Sequence, residues 1–165
     1  MHYISHYTSP LGPMLLAADS VGLTGLWFEG QKYFARALEA EHSEQEIPVL
    51  ASAKQWLHIY FSGSEPDFTP PLHLIGTAFQ KEVWEILRRI PYGQVTTYGA
   101  IAAQIAARRG LAHMSAQAVG GAVGHNPISV LVPCHRVVGS QGAPTGYAGG
   151  IDKKRALLRL EAVAL

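Results

Sequence analysis

Short apolar runs alternate with turn residues along the first thirty positions of the chain. Residues 3–7 and 14–18 are two such runs, and the segment 9–13 between them contains two prolines and a glycine. Apolar residues recur again over residues 22–28. Runs of this length, bounded by proline and glycine, are typical of β-strands joined by tight turns. The pattern therefore predicts a small antiparallel sheet at the amino-terminal end.

The hydrophobic spacing changes to a helical period after residue 30. Phe34, Ala37 and Leu38 recur at this period and predict a helix. The apolar positions of residues 50–61 predict a second helix, which ends at Gly63. Strands followed by helices indicate an α+β class for this half of the chain.

The second half of the chain has a helical pattern throughout. Thr77 and Gln80 have the spacing of a capping box, and apolar residues between positions 79 and 90 recur on one face of the helix that follows. A proline, a tyrosine and a glycine at residues 91–93 then end this helix.

Two more helices with a short connection are predicted next. Thr97 is placed to cap the first, which runs to Arg108, and Ser115 begins the second, whose small and apolar residues continue to Val123. This arrangement is consistent with a helix-turn-helix. An ordinary helical hairpin in a protein core has the same pattern, so both interpretations stay open.

Glycines lie inside the last of these helices. Gly120 and Gly121 each cost about 1 kcal/mol relative to alanine in a helix interior, and Gly124 follows them. Close approach of the backbone to another surface is the usual reason for such glycines. That surface is either a DNA minor groove or a neighbouring helix.

Composition and charge restrict the class of protein. With 165 residues, of which 48% are hydrophobic, the chain is globular and can form one good core or two small ones. Residues 1–75 carry three basic and eight acidic side chains, whereas residues 76–165 carry ten basic and four acidic ones. The proline-containing stretch at residues 67–71 divides the chain into two predicted domains, 1–75 and 76–165. Their net charges of −5 and +6 favour a nucleic acid as the partner of the basic one.

Targeting signals are not evident in the sequence. The amino terminus shows no leader pattern, and no stretch has the length of uninterrupted apolar residues that crosses a membrane. A single cysteine cannot form an internal disulfide. The sequence therefore predicts a cytoplasmic protein with no membrane partner, since a thiol stays reduced in that compartment.

The single cysteine, Cys134, stands next to two side chains that affect its reactivity. His135 and Arg136 follow it directly. Neighbouring imidazole and guanidinium groups lower the pKa of a thiol from roughly 8.5 toward 7, which makes Cys134 a candidate nucleophile. A lone cysteine is also commonly a small buried apolar residue. These residues by themselves leave both interpretations open.

Three segments around Cys134 resemble those of one protein family. The chain reads GGAVGHNP over residues 120–127, VPCHRVVG over residues 132–139 and GYAGG over residues 146–150. These segments are similar to those of the O6-alkylguanine-DNA alkyltransferases, and the resemblance covers residues 76–165 and the turn at residues 9–12. It implies a ribonuclease H-like amino-terminal domain, and a mostly helical, winged helix-turn-helix-like carboxy-terminal domain that carries the cysteine.

The resemblance implies a stoichiometric repair reaction on DNA. Cys134 would take the alkyl group from the O6 atom of guanine, with O4-alkylthymine as a further candidate substrate, and would keep it as a thioether. His135 would be the base and would act through a water molecule, since neighbouring side chains of an extended segment point to opposite faces. Glu161, near the end of a terminal helix capped by Asp152, would orient the histidine.

The family's remaining site residues are carried over by the same resemblance. Asn126 would hydrogen-bond the backbone near the cysteine, and Tyr98 would donate a proton toward guanine N3. The target base must leave the stack for this chemistry, and the family binds double-stranded DNA through the minor groove. The DNA contacts would come from Gln117, Ala118, Gly121, Arg136, Thr97 and Ser115, and the substrate pocket from Val123, Val137, Tyr147, Ala148 and Gly149.

Two positions depart from the family pattern. Gln117 stands where an arginine usually fills the gap left by the extruded base, so this chain brings neither the charge nor the stacking surface of that arginine. Ala148 stands where many members have a serine, so only backbone N–H groups can serve near guanine O6. We therefore expect base extrusion to be less favourable in this chain.

No cofactor and no metal are expected, because the five histidines of the first half show no ligand spacing and no cysteine lies there. The protein is expected to act as a monomer. Two alternatives come from other classes: a non-enzymatic protein that recognises damaged DNA with an inert Cys134, and a hydrolase that turns over with Cys134, His135 and Glu161.

Overall fold

The computed structural model describes residues 2–36, 38–143 and 146–163. The chain forms two compact units, and the first consists of residues 1–75 together with residues 127–131. Residues 127–131, expected in the second domain, lie in the first unit because their backbone pairs with a strand there. Leu26 N–H donates to the Pro127 carbonyl over 2.9 Å, and Ser129 N–H donates to the Leu26 carbonyl over 2.9 Å.

The first unit is built on a four-stranded sheet in the order β3-β2-β1-β4. Its strands are β1 (His2–Ser9), β2 (Gly12–Ala18), β3 (Leu23–Phe28) and β4 (His42–Glu44). The first three form the antiparallel sheet that the apolar runs predict, while β4 pairs parallel to β1 and has no clear signal in the sequence. The α+β class is confirmed.

Helix α1 (Pro48–Phe61) packs against the first three strands. It begins with a proline, whose missing N–H costs nothing at the first helical position. Its buried residues recur every three or four positions, which places one apolar stripe on the sheet. These buried residues are Leu50, Ala53, Trp56, Leu57 and Tyr60.

The helix predicted around residues 34–38 is wrong. Residues 32–36 form successive turns, and Tyr33 and Ala35 have the positive φ angles of 60° and 54°. The apolar spacing has another cause: Ala35 and Leu38 pack against the cluster around Trp27 instead of forming a helix face. Ala37 lies outside the described residues.

The second unit, residues 76–126 and 132–165, is mostly helical. Its helices are α2 (Ala78–Arg88), α3 (Tyr98–Arg109), α4 (Ala116–Gly124) and α5 (Ile151–Leu160), and its two short parallel strands are β5 (Thr96–Thr97) and β6 (Val137–Val138). None of the helices formed by the described residues is long and apolar enough to cross a bilayer.

Side-chain caps fix where three of these helices begin. Thr77 accepts from Gln80 N–H while the Gln80 side chain accepts from Thr77 N–H, which is the capping box that the sequence predicts. Thr97 and Ser115 cap α3 and α4 in the same way, by accepting from the N–H groups three residues later. The starts of these three helices could therefore be predicted from the sequence.

Asp152 was expected to cap α5, and this is wrong. The residue at the cap position is Gly150, with a φ of 102°, and Asp152 lies in the first turn of the helix. A carboxylate in the first turn still interacts favourably with the positive end of the helix dipole. Glu161 is the residue at the other end, where the helix terminates.

Candidate active site

Cys134 lies in a single turn of 3-10 helix formed by Cys134–Arg136. The extended conformation expected for this segment is wrong, because two short-range hydrogen bonds fold the chain here. Cys134 N–H donates to the Val132 carbonyl over 2.8 Å, and Arg136 N–H donates to the Pro133 carbonyl over 3.0 Å. The chain becomes extended only in β6, which follows the turn.

The Cys134 thiol is buried, with 6% of the residue exposed. Burial raises its pKa above the ordinary value, and this effect outweighs the hydrogen bond from the Asn126 side chain, the positive charge of Lys154 and the local backbone N–H groups, which all lower it. Asn126 Nδ2 also donates to the Val132 carbonyl over 2.8 Å, so one amide ties the turn to the thiol. The resting thiol is therefore protonated and needs a base.

His135 and Glu161 form a fully buried pair with 2.6 Å between His135 Nε2 and Glu161 Oε2. Burial lowers the pKa of His135 below its ordinary value, although the glutamate raises it. A neutral imidazole that donates from Nε2 to a carboxylate carries its lone pair on Nδ1. The pair therefore fixes one tautomer of His135, with Nδ1 as the basic nitrogen.

Glu161 accepts hydrogen bonds on both of its carboxylate oxygens. Oε1 accepts from Arg136 Nε over 2.8 Å and from Gly93 N–H over 3.0 Å, and Oε2 accepts from His135 and from Arg136 Nη2 over 3.2 Å. Burial by itself would raise the pKa of Glu161, but the histidine, the arginine and the Gly93 N–H together lower it to about 2. The carboxylate is therefore ionised at any physiological pH.

Arg136 was expected to contact DNA, and the structure places it in the interior. The residue is 8% exposed, its Nη1 donates to the Ile90 carbonyl over 2.7 Å, and its guanidinium lies 5.7 Å from the centre of the Tyr92 ring. The reason is the buried charge of Glu161, which requires a cation beside it. A side chain held in this way does not reach a phosphate at the protein surface.

Lys154 is a buried cation near the thiol that the sequence did not single out. The residue is 0% exposed, and its Nζ donates to the carbonyls of Val137 and Gly146 over 2.5 and 2.9 Å. Burial lowers its pKa to about 8, and the negative charge of a Cys134 thiolate opposes that shift. A signal for it exists in the sequence. Lys154, Leu157, Leu158 and Glu161 recur at helical spacing, so the lysine lies on the buried stripe of α5.

Tyr98 stands at the start of α3 and is half-buried. Burial raises the pKa of its phenol, and the charge of Cys134 raises it further. Its ring lies 5.8 Å from Lys154 Nζ, and a Cβ added to Gly120 would contact the ring at 3.8 Å. The phenol is therefore a protonated donor that shares one neighbourhood with the thiol and Lys154.

The remaining predicted DNA contacts lie apart from the buried cluster, on exposed positions of α4 and at the start of α3. Gly121 faces open space, since a Cβ added there would have no atom within 4 Å among the described residues. Packing against a neighbouring helix therefore does not require a glycine at this position. The exposed residues are Ser115, Gln117, Ala118 and Gly121, and Thr97 is half-buried.

The predicted pocket residues fall into two groups. Val123 and Val137 belong to the core, with 5% and 0% of each exposed, while residues 147–149 are partly exposed in the segment that leads into α5. A turn closes that segment through Gly150 N–H, which donates to the Tyr147 carbonyl over 3.0 Å. Their role around a bound base stays a prediction. Within the described ranges, no three His, Cys, Asp or Glu side chains come together as a metal site.

Two family models match the chain, and between them they span nearly all of it. Residues 2–74 match the ribonuclease-like domain of 6-O-methylguanine DNA methyltransferase, and residues 78–163 match the DNA-binding domain of the same protein. Two curated relatives are named methylated-DNA–protein-cysteine methyltransferase. The protein from Haemophilus influenzae is 39% identical over 98% of this chain and 87% of its own length. The protein from Mycobacterium bovis is 45% identical over 93% of this chain and 88% of its own length.

A solved structure has the same fold. The crystal structure of Mycobacterium tuberculosis OGT in complex with DNA superposes with a TM-score of 0.82 at 43% identity, covering 96% of this chain and 92% of that one. Identity at this level extends over both units. The chain belongs to the 6-O-methylguanine DNA methyltransferase family.

Proposed function

We propose that this protein repairs O6-alkylguanine in DNA by transferring the alkyl group irreversibly to Cys134. The observation that carries the proposal is the buried thiol next to a histidine whose tautomer an ionised glutamate fixes. A buried, protonated thiol needs a base. His135, the next residue in the chain, offers Nδ1 as the basic nitrogen. A water molecule between the two would relay the proton.

The proposed transfer is a single displacement. The thiol proton passes to His135, the Cys134 sulfur attacks the alkyl carbon, and the bond from that carbon to guanine O6 breaks. Negative charge then develops on the departing guanine, and the Tyr98 phenol donates a proton at N3. The cation of Lys154 stabilises the thiolate before the attack, because the positive charge of Lys154 lowers the pKa of Cys134 and the negative charge of Cys134 raises the pKa of Lys154.

The alkylated protein cannot return to its free-thiol form, so the reaction has no turnover. A thioether sulfur bound to an alkyl carbon has no leaving group of useful acidity, unlike the thioester of a cysteine hydrolase. The protein is consumed once for each lesion. It acts on O6-alkylguanine, with O4-alkylthymine as a further candidate substrate, and it needs no cofactor.

The exposed face of α4 is the proposed DNA-binding surface, and it would enter the minor groove. Small residues there permit close approach of the backbone to DNA, and Gly121 faces open space. Affinity would come from the phosphate backbone, while Gln117 would occupy the gap left by the extruded base. We propose that a monomer performs the reaction in the cytoplasm, where the thiol of Cys134 stays reduced.

Intact-protein mass after incubation with a duplex that contains one O6-methylguanine tests the proposal. A gain of one methyl group at stoichiometric yield, located at Cys134 by peptide mapping, is the expected result. The Cys134→Ala variant and an unmodified duplex are the controls, and neither should show the gain. An unchanged mass despite DNA binding would point to a damage-recognition protein instead, and demethylation beyond one equivalent would point to an enzyme that turns over.

A further inference from the structure

The guanidinium of Arg136 donates hydrogen bonds to three oxygen atoms in the interior of the second unit. Nε and Nη2 donate to the two oxygens of Glu161, and Nη1 donates to the Ile90 carbonyl, just beyond the end of α2. A paired contact of this kind fixes the plane and the position of a carboxylate, which a single hydrogen bond does not. Arg136 therefore connects the segment that follows α2 to the residue at the end of α5.

The position of Glu161 explains why such a connection matters. It stands at the carboxy-terminal cap of α5, where a helix is least restrained by its own hydrogen bonds. Its Oε2 must nevertheless meet His135 Nε2 at 2.6 Å. Arg136 and the N–H of Gly93, neither of which belongs to α5, also hold the carboxylate, so the geometry of the pair does not depend on the helix end alone.

We propose that Arg136 is a positioning residue for the alkyl transfer: it fixes the Glu161 carboxylate and balances its charge, so that the carboxylate orients His135 while the imidazole stays neutral and basic. This inference rests on the proposed reaction, in which His135 accepts the thiol proton. It assigns a specific role to the arginine of the PCHRV segment, which the family resemblance had placed on DNA.

The charge argument follows from the groups that face His135. An ionised glutamate alone would favour an imidazolium beside it, because the two would form a buried ion pair. Arg136 already supplies a positive charge to that glutamate, and Lys154 adds a second cation nearby. The charges of Arg136 and Lys154 both disfavour a proton on His135, in opposition to Glu161. Removing the arginine therefore lets the glutamate draw a second proton onto the imidazole.

The Arg136→Gln variant tests this inference through the pH dependence of transfer. Wild type and variant are each mixed with the O6-methylguanine duplex, and the single-turnover rate is measured from pH 5.5 to 9. The rising limb of the rate should move to higher pH by roughly one unit, with about a tenfold loss of rate on the acidic side of that limb, because well below its pKa a base whose pKa rises by one unit keeps only a tenth of its neutral form. The 15N chemical shifts of His135 should show the imidazole of the variant taking up its proton about one pH unit higher than that of wild type.

The Arg136→Lys variant separates the effect of the positive charge from the effect of the paired contact with Glu161. It keeps a cation beside Glu161 but loses the paired contact, so its rising limb should stay in place while its maximal rate falls. Arg88→Gln, which removes an exposed arginine paired with Glu85 on α2, is the matched control and should behave as wild type.

The outcomes distinguish this inference from the proposed function. If wild type takes up no methyl group, the proposed function fails. If wild type reacts and Arg136→Gln keeps both an unshifted pH profile and an unshifted titration of His135, the inference about Arg136 fails. Should Arg136→Gln not fold, Arg136→Lys decides: a wild-type rate in that variant would overturn the positioning role, and a reduced rate with an unshifted profile would support it.

Discussion

Lys154 Nζ donates to the carbonyl oxygen of Val137, three residues beyond Cys134 in the chain, and the lysine is completely buried. The contact places a cation from α5 beside the segment that carries the thiol. The burial of this charge lowers the pKa of Lys154 to about 8, which leaves it mostly protonated at neutral pH. A positive charge in a low-dielectric interior strongly favours a nearby thiolate.

Replacing Lys154 by methionine should therefore slow alkyl transfer without leaving a cavity in place of the lysine side chain. The methionine fills a similar volume, while the thiol loses the cation that lowers its pKa. We expect the single-turnover rate at pH 7 to fall about tenfold, which corresponds to a change of about one unit in the pKa of the thiol. Lys153→Met, one position earlier on α5, is the matched control. Equal rates for the two variants would remove Lys154 from the reaction.

Glu161 makes the stability of the protein depend on pH. Its pKa is about 2 in the folded protein and about 4.3 in an unfolded chain, so the ionised form contributes about 3 kcal/mol to the free energy of unfolding. Because the folded pKa is lowered, this contribution is fully present above pH 4.3 and is lost as the pH falls toward 2. Urea unfolding of wild type and Glu161→Gln at pH 7 and pH 3 measures it. The two proteins should differ most at pH 7, and a difference independent of pH would contradict the prediction.

Gly121→Ala separates helix stability from DNA binding. An alanine at this position meets no described atom within 4 Å, and alanine is favoured over glycine inside a helix by about 0.5–1 kcal/mol. We expect the free energy of unfolding to rise by that amount while the affinity for a methylated duplex falls. Gly124→Ala also meets open space in the structure and is the control. A gain of stability with unchanged DNA affinity in Gly121→Ala would exclude this face of α4 from the interface.

Gln117→Arg should restore the side chain that the family usually has at this position. An arginine brings a charge and a planar stacking surface to the gap left by an extruded base. We expect faster transfer from duplex DNA, by about tenfold, and an unchanged rate with free O6-methylguanine base, because only the duplex requires extrusion. The Gln45→Arg variant, which adds the same positive charge on the first unit, is the control. A similar gain in both variants would assign the effect to general electrostatic attraction.

Much of the fold was predictable because the signals are local. The capping residues Thr77, Thr97 and Ser115 act within three residues of themselves, and β1, β2 and β3 are bounded by their own turn residues. The helix predicted at residues 34–38 failed because the same apolar spacing also serves a loop that packs on Trp27. Spacing reports which side chains are buried, but it does not report the backbone conformation that buries them.

The sequence by itself determined the family, the candidate nucleophile and the limits of most helices, because short motifs and caps carry that information within a few residues. Only the tertiary structure decided what surrounds Cys134. Arg136 turned inward because Glu161, 25 residues later in the chain, needed a buried partner, and Lys154 became part of the site because α5 packs against the turn that holds the thiol. Charges that are distant in sequence meet only after folding, and their desolvation then sets which of them are ionised.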